Sequence, residues 1–373
     1  MVFILNEKEQ AVLEIIRQHP FYSQQEIASE IGMSRSAVAN MVSDLIRRNY
    51  LLGRAYVIND EAPVICIGGM NVDRKFYAQQ ELILKTSNPV SSTVSIGGVG
   101  RNIAENLGRL GENVLILSRA GDDQDWELIK AASQSYMNLR QVEVAPDQAT
   151  SSYTAVIDVD GEMSLALANM AICDTMTVSW LEQYETLLSR SKALVVDLNL
   201  PQESLAYLIN LARERDLALA IIPVSAPKMI HLPKNLEGVE WLIVNQDESE
   251  AFFDKPIGSG GDLEDLAQLW LATGVKQVLI TRGAEPMLYA NQAGQRSQLL
   301  PKKVHQMVDA TGAGDSLSAG VLFGWLNDYS SEAALEFGLT NAYRTIQSLD
   351  TVRKNLSRHS FLQERKELFP HES

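Results

Sequence analysis

Short apolar runs recur along most of this chain and set its frame. Val64-Ile65-Cys66-Ile67, Val114-Leu115-Ile116-Leu117, Ala193-Leu194-Val195-Val196, Leu219-Ala220-Ile221-Ile222, Trp241-Leu242-Ile243-Val244 and Gln277-Val278-Leu279-Ile280 are almost unbroken in hydrophobicity. Strands apolar on both sides need cover on both sides, and helix-like stretches such as Glu203–Arg215 separate the runs. The pattern predicts an α/β fold with a doubly wound, mostly parallel sheet, whose ligands bind beyond the carboxyl ends of the strands. Two segments differ. Ser151 to Leu167 alternates on either side of Asp160-Gly161, as two strands around a tight turn do. Ser316 to Leu326 has no polar face at helical spacing, which predicts a buried helix.

Residues 1 to 59 follow another rhythm. Asn6 is placed to cap a helix carrying Val12, Leu13, Ile15 and Ile16, and Pro20 closes it. Ser23 with Glu26 forms a capping box for a second helix. Gly32 supplies a turn, and Ser34 caps a third helix with Val38, Met41, Val42, Leu45 and Ile46 on one side. Tyr50 to Ile58 alternates around Gly53 like a small hairpin, and Ala62-Pro63 marks a linker. This order resembles a winged helix-turn-helix domain, which implies DNA as a partner and the third helix in the major groove. Ser34, Arg35, Ser36 and Asn40 lie on its leading edge, with Arg47, Arg48 and Arg54 available to phosphates. Six basic against seven acidic residues up to Asp60 is a poor balance for salt-driven binding, so a three-helix oligomerisation or docking unit is the alternative.

Composition narrows the class. A chain of 373 residues has room for two or three domains, and a net charge of −15 argues against a general nucleic-acid or membrane surface. Cys66 and Cys173, in no metal-like spacing, read as small buried residues. The start reads as no signal peptide and no apolar run spans a bilayer, so the cytoplasm is the expected compartment.

The chemistry gathers in two glycine turns. Asp309-Ala310-Thr311-Gly312-Ala313-Gly314-Asp315 runs straight into the apolar helix. A glycine turn feeding a helix leaves backbone N–H groups free at its positive end, an anion hole. Asp315 inside such a hole repels a resting anion. It suits a phosphoryl group in transfer, with the carboxylate taking the proton of the attacking hydroxyl. Gly312, Ala313 and Gly314 are the expected N–H donors; the alternative for Asp315 is a plain helix cap. The second turn, Gly97-Gly98-Val99-Gly100-Arg101-Asn102, also opens a helix.

Together the two stretches resemble both signatures of the ribokinase-like (PfkB) carbohydrate kinases, over roughly residues 63 to 350. The resemblance implies ATP as phosphoryl donor with Mg²⁺, and a small β lid, including Ser151–Leu167, that closes over the acceptor and often forms a dimer contact. A homodimer is expected on that ground. It implies that Asp73, with Asn71, Gly97, Gly98 and Asn102, holds a sugar. Asn245 and Glu248 match an Asn-x-x-Glu motif that organises Mg²⁺ through water. Thr281 and Gly283 match a turn that meets the nucleotide phosphates, joined by Thr311, Gly312 and Gly314, with the adenine near Asn341. Asp309 matches a position that helps bind a monovalent cation such as K⁺; an ordinary turn aspartate is its alternative. Val99-Gly100-Arg101-Asn102 is similar to pseudouridine kinases, with Tyr153 and Met170 as an apolar plate for a base and Ser152 or Asn169 to read its edge. Two positions depart from the family pattern, Ile222 in place of an aspartate and Pro286 in place of a glycine.

The expected activity is ATP-dependent phosphorylation of the 5′ hydroxyl of a nucleoside, pseudouridine first, alongside transcriptional control. Another nucleoside or a free sugar such as ribose or fructose is one alternative. A DNA-binding regulator whose kinase fold only senses its ligand is the other. The expected domains are 1–59, 60–350 and a polar tail 351–373, the last a surface helix or loose end.

Overall fold

The computed structural model describes residues 5–53, 61–256, 262–304 and 307–370. The chain divides into two compact units, Met1–Ala62 with Leu181–Ser191, and Pro63–Trp180 with Lys192–Ser373.

The first unit has helices α1 (Glu7–Gln18), α2 (Gln24–Ile31) and α3 (Arg35–Arg47). Asn6 with Glu9 and Ser23 with Glu26 close reciprocal capping boxes, so two otherwise unpaired N–H groups are satisfied at each helix start. Gly32 ends α2 in the left-handed conformation at φ 68°, and the Ser34 hydroxyl accepts the Ala37 N–H to start α3. Val12, Ile16, Ile27, Val38, Leu45 and Leu51 form the core. Ser34, Arg35, Ser36 and Asn40 are all exposed. Arg48 differs from expectation: its guanidinium is held by Glu9 and Asp44 with little of it in solvent, so it braces the unit and is not available to a phosphate. The hairpin expected over Tyr50–Ile58 runs into residues 54–60, outside the described residues, and Arg54 falls there too.

In the second unit, nine strands lie in the order β13 (Arg296–Leu299), β12 (Glu285–Asn291), β11 (Gln277–Arg282), β10 (Trp241–Asn245), β9 (Leu219–Ile222), β8 (Ala193–Asp197), β1 (Val64–Ile67), β4 (Val114–Gly121) and β5 (Asn138–Ala145). β5, β4, β1, β8, β9, β10 and β11 pair in parallel with their neighbours in that order, and β12 and β13 return antiparallel. The parallel strands β1, β8 and β9 are buried at every residue, as the uninterrupted apolar runs require. Chain order reverses direction between β1 and β8, which places a crevice outside their carboxyl ends. A four-stranded sheet in the order β3 (Val90–Gly97), β2 (Asn71–Ala78), β6 (Ser151–Ile157) and β7 (Met163–Asn169) forms the lid.

The helix Ala313–Leu326 is buried along nearly its whole length, packed on the helices Val99–Arg109 and Ser331–Thr345. The stretch after Asp350 is bound more tightly than a loose end. Phe361 of the helix Arg358–Leu368 is fully buried against the rings of Phe323 and Phe337, and the buried Arg353 holds Glu364 through both oxygens. Among the described residues no helix is long and apolar enough to cross a membrane.

Candidate active site

Asp197, the last residue of β8, organises the crevice from beneath. Its carboxylate is 1% exposed and accepts the N–H of Gly69 (2.9 Å), Gly100 (2.9 Å) and Asn199 (2.9 Å), plus the Asn199 side-chain amide (3.1 Å). Burial raises its pKa, and the N–H donors oppose that rise. One side chain therefore sets the turn after β1 and the start of the helix Val99–Arg109 against each other. Gly98 joins them from above at φ 99°, where a Cβ would stand 2.3 Å from the Gly69 carbonyl oxygen. Sequence reasoning missed Asp197; its only signal was an acid at the carboxyl end of a buried strand.

On that base stands the pair at the centre of the site. The Asn102 side-chain amide donates to Asp315 Oδ2 at 2.7 Å. Its carbonyl accepts from the Arg101 guanidinium at 3.0 Å, which fixes which end of the amide faces Asp315. Arg101 is itself buried on Glu105 and the Ser133 hydroxyl. Burial pushes the Asp315 carboxyl up to about 6; Asn102 pulls against this, and the fields of Asp197 and Asp73 add to it.

Gly312 begins the helix at φ 79°, its missing side chain leaving room for the Thr351 carbonyl, which a Cβ would meet at 2.4 Å. The first intrahelical bond runs from Ser316 N–H to the Gly312 oxygen, so the N–H groups of Gly314 and Asp315 precede any intrahelical acceptor. Open space lies where a Gly314 side chain would be. Ala313 differs from expectation: its N–H donates to the Ala310 oxygen at 3.1 Å, so it closes the turn instead of facing an anion.

The lid brings the residues expected to hold the acceptor to the same place. Asn71 donates to Asp73, and Gly97 packs so closely on both that a Cβ would overlap Asp73 Oδ2. Burial pushes Asp73 up to about 6, against the pull of Lys75, Asn71 and Arg101. Directly paired residues share a side of a sheet, so Tyr153, opposite Asp73, shares the side that carries Asp73. Ser152 pairs with Val72 and with Asn169, which puts both on the other side. The pleat thus removes Ser152 and Asn169 as readers of a ligand held by Asp73.

At the end of β10, Asn245 and Glu248 form a capping box, each side chain accepting the other's N–H at 2.8 Å. Glu248 is pushed up to about 6 by burial, with Asp247 and Asp315 adding to the rise. Among the described residues no group of three or more His, Cys, Asp or Glu could cage a metal. The donor set suits Mg²⁺ that arrives with its water on phosphates, which needs only one or two carboxylates nearby. Thr281 donates to the Val244 oxygen at 3.4 Å, and Gly283 makes the β11–β12 turn at φ 57°. Pro286 falls where that ladder is irregular, between the Arg282–Glu285 and Ile280–Leu288 pairs, so its missing N–H breaks no pairing. Ile222 belongs to the hydrophobic core.

Asn341 also differs from expectation. Its amide is fully buried, donating to Asn106 (2.8 Å) and the Ser316 oxygen (2.9 Å) and accepting from Arg353 (3.2 Å). It bolts helices together and has nothing left for an adenine. Asp309 opens the glycine turn that ends at Asp315 by accepting the Thr311 N–H (2.8 Å) and hydroxyl (2.6 Å), and it pairs with Lys75 at 3.2 Å. Burial pushes this carboxyl up, but Thr311 and Lys75 outweigh it and hold it below the usual carboxylate range.

Residues 62–357 match the model of the pfkB family carbohydrate kinases, and residues 5–51 match that of winged helix-turn-helix DNA-binding domains. Over 339 residues the chain is 29% identical to the uncharacterized sugar kinase YeiI of Escherichia coli (strain K12), covering 91% of this chain and 93% of that one. Over 275 residues it is 29% identical to the pseudouridine kinase of the same organism, covering 74% of this chain and 87% of that one. Its structure resembles Arabidopsis thaliana ribokinase complexed with ribose and ATP, at a TM-score of 0.70 and 19% identity over 82% of this chain and 99% of that one.

Proposed function

Because this chain belongs to the pfkB family of carbohydrate kinases, phosphotransferases with an alcohol group as acceptor, we propose that it phosphorylates the 5′ hydroxyl of a nucleoside, pseudouridine first. The observation that carries this reading is the Asn102–Asp315 pair beside the open glycine turn. Asp315 removes the proton of the attacking hydroxyl, and the N–H groups of Gly314 and Asp315 receive the phosphoryl oxygens. Asp73, steadied by Asn71, accepts from two vicinal ribose hydroxyls, and Tyr153 lies on the same side of the lid to cover the base. ATP is the donor. When bound, Mg²⁺ would neutralise charge on the ATP phosphates, and Glu248 would orient the ion's water. The 29% identity to a pseudouridine kinase and the Val99–Asn102 turn support the choice of nucleoside. Other nucleosides and free pentoses are the competing acceptors.

The exposed residues on α3 favour a second, compatible role in DNA binding. One assay separates the readings: ADP release with ATP, Mg²⁺ and a panel of nucleosides and pentoses, beside DNA binding with and without each compound. Turnover is expected to be highest with pseudouridine. No turnover with any acceptor, together with ligand-dependent DNA binding, would select a sensor over a kinase.

The outer side of the lid supports a homodimer. Val94, Leu165 and Leu167 share that side by register and are each more than half exposed. Light scattering is expected to give the dimer mass, and Leu165→Lys with Leu167→Lys to give the monomer. A wild-type monomer at micromolar concentration would count against this interface. A cytoplasmic location belongs to the same reading.

A further inference from the structure

The sequence resemblance assigns a monovalent metal ion to Asp309, but the structure gives that carboxylate a different cation. Asp73 and Lys75 are two residues apart on β2 and leave the strand on the same side. While Asp73 stays beside Asn71 and Gly97, Lys75 reaches the phosphoryl loop. Its Nζ lies 3.2 Å from Asp309 Oδ2 and 3.1 Å from the Thr311 hydroxyl oxygen. The other carboxylate oxygen, Oδ1, already accepts the N–H and O–H of Thr311. Both oxygens of Asp309 and the hydroxyl of Thr311 are therefore engaged within the protein, and a K⁺ on this carboxylate would sit against an ammonium of like charge. The donor set present does not fit the ion.

We propose that the Lys75 ammonium is the built-in cation of the phosphoryl loop and makes this kinase independent of K⁺. The inference rests on the kinase reading above and adds a positioning residue to it. A tethered cation also ties the lid to the loop that receives the phosphoryl group, since β2 is a lid strand and Asp309 and Thr311 begin the turn that ends at Asp315. Sequence reasoning could not reach this pair, because 234 residues separate Lys75 from Asp309.

The test compares wild type with Lys75→Met, which keeps most of the stem and removes the charge, in choline chloride and in KCl. Three quantities are read: kcat/KM for ATP, ADP affinity by calorimetry, and melting temperature. Wild type is expected to be the same in both salts by all three. Lys75→Met in choline is expected to lose roughly tenfold to a hundredfold in kcat/KM, the scale of one charged hydrogen-bonding group, and to recover most of it in KCl. ADP affinity and melting temperature of the variant are expected to rise with KCl in parallel. Lys75→Arg, which keeps a positive charge, is expected to stay insensitive to K⁺.

Wild type activated by K⁺ overturns the proposal, and needs no variant to fold. So does a Lys75→Met protein equal to wild type in choline, or one whose loss KCl does not restore. If wild type turns over no acceptor at all, the kinase reading fails, while ADP affinity and melting still decide whether Lys75 replaces the ion.

Discussion

Asp315→Asn is expected to lower kcat by about 10²–10⁴-fold, the range for losing a positioned general base, while ATP and ADP bind as in wild type. The substitution separates chemistry from shape. Asparagine presents a carbonyl oxygen of its own to the Asn102 amide, so the 2.7 Å contact has a replacement acceptor. The N–H groups at the start of the helix Ala313–Leu326 are main chain and unchanged. What disappears is the ability to take a proton.

The pH dependence follows with a definite sign. Burial raises the Asp315 carboxyl to about 6 from its usual 3.8, and the base acts only when ionised. Wild-type turnover should rise with pH through about 6 and level off above it, falling about tenfold per unit on the acid side. Asp73 and Glu248 also lie near 6, so the midpoint belongs to the interacting group and not to one residue. In Asp315→Asn the acid limb in kcat should be gone. A variant with near-normal turnover, or with the limb intact, would show that another group is the base.

Asp197→Ala is expected to have the second largest effect, on folding and on the site at once. The carboxylate is the acceptor for the N–H groups of Gly69, Gly100 and Asn199, all in a place water does not reach. Alanine leaves those donors unpaired at about 1–3 kcal/mol each, offset in part because a buried charge is no longer desolvated. A net loss on the order of 3 kcal/mol is expected in urea unfolding. KM for the acceptor should also rise, because the turn after β1 and the turn at Gly97–Asn102 lose their common reference. Asp197→Asn keeps one acceptor oxygen and should fall between. If Asp197→Ala unfolds at the wild-type urea midpoint with an unchanged acceptor KM, Asp197 is not the brace described above.

These two aspartates show what was legible in the chain. Asp315 directly follows Gly312-Ala313-Gly314 at the mouth of an apolar helix, a local pattern whose chemistry can be read without knowing the fold. The parallel sheet was legible for a similar reason, since β1, β8 and β9 are buried on both sides and carry no polar residue until their ends. Asp197 ends such a strand too, but its partners come from two other turns, 97 and 128 residues away in sequence. Its place at the end of a buried strand is its only local mark.

The misplaced residues failed for equally physical reasons. Ser152 and Asn169 are in the right strands, but a one-residue difference in parity puts them on the wrong side of the pleat. Asn341 carries the right functional group at the right end of the fold, yet its amide is consumed by Asn106, Ser316 and Arg353. The Ala313 N–H closes the very turn it was expected to furnish. Pro286 proves harmless to the hairpin because Gly283, three residues earlier, already makes the turn.

Phosphoryl transfer to a carbon-bound hydroxyl is observed directly by ³¹P NMR of the wild-type protein with ATP, Mg²⁺ and pseudouridine. The expected spectrum shows ADP growing in step with one new phosphomonoester signal, coupled to the two protons of the 5′ methylene. ATP left intact across the nucleosides and pentoses, or ATP converted only to ADP and inorganic phosphate, would contradict it.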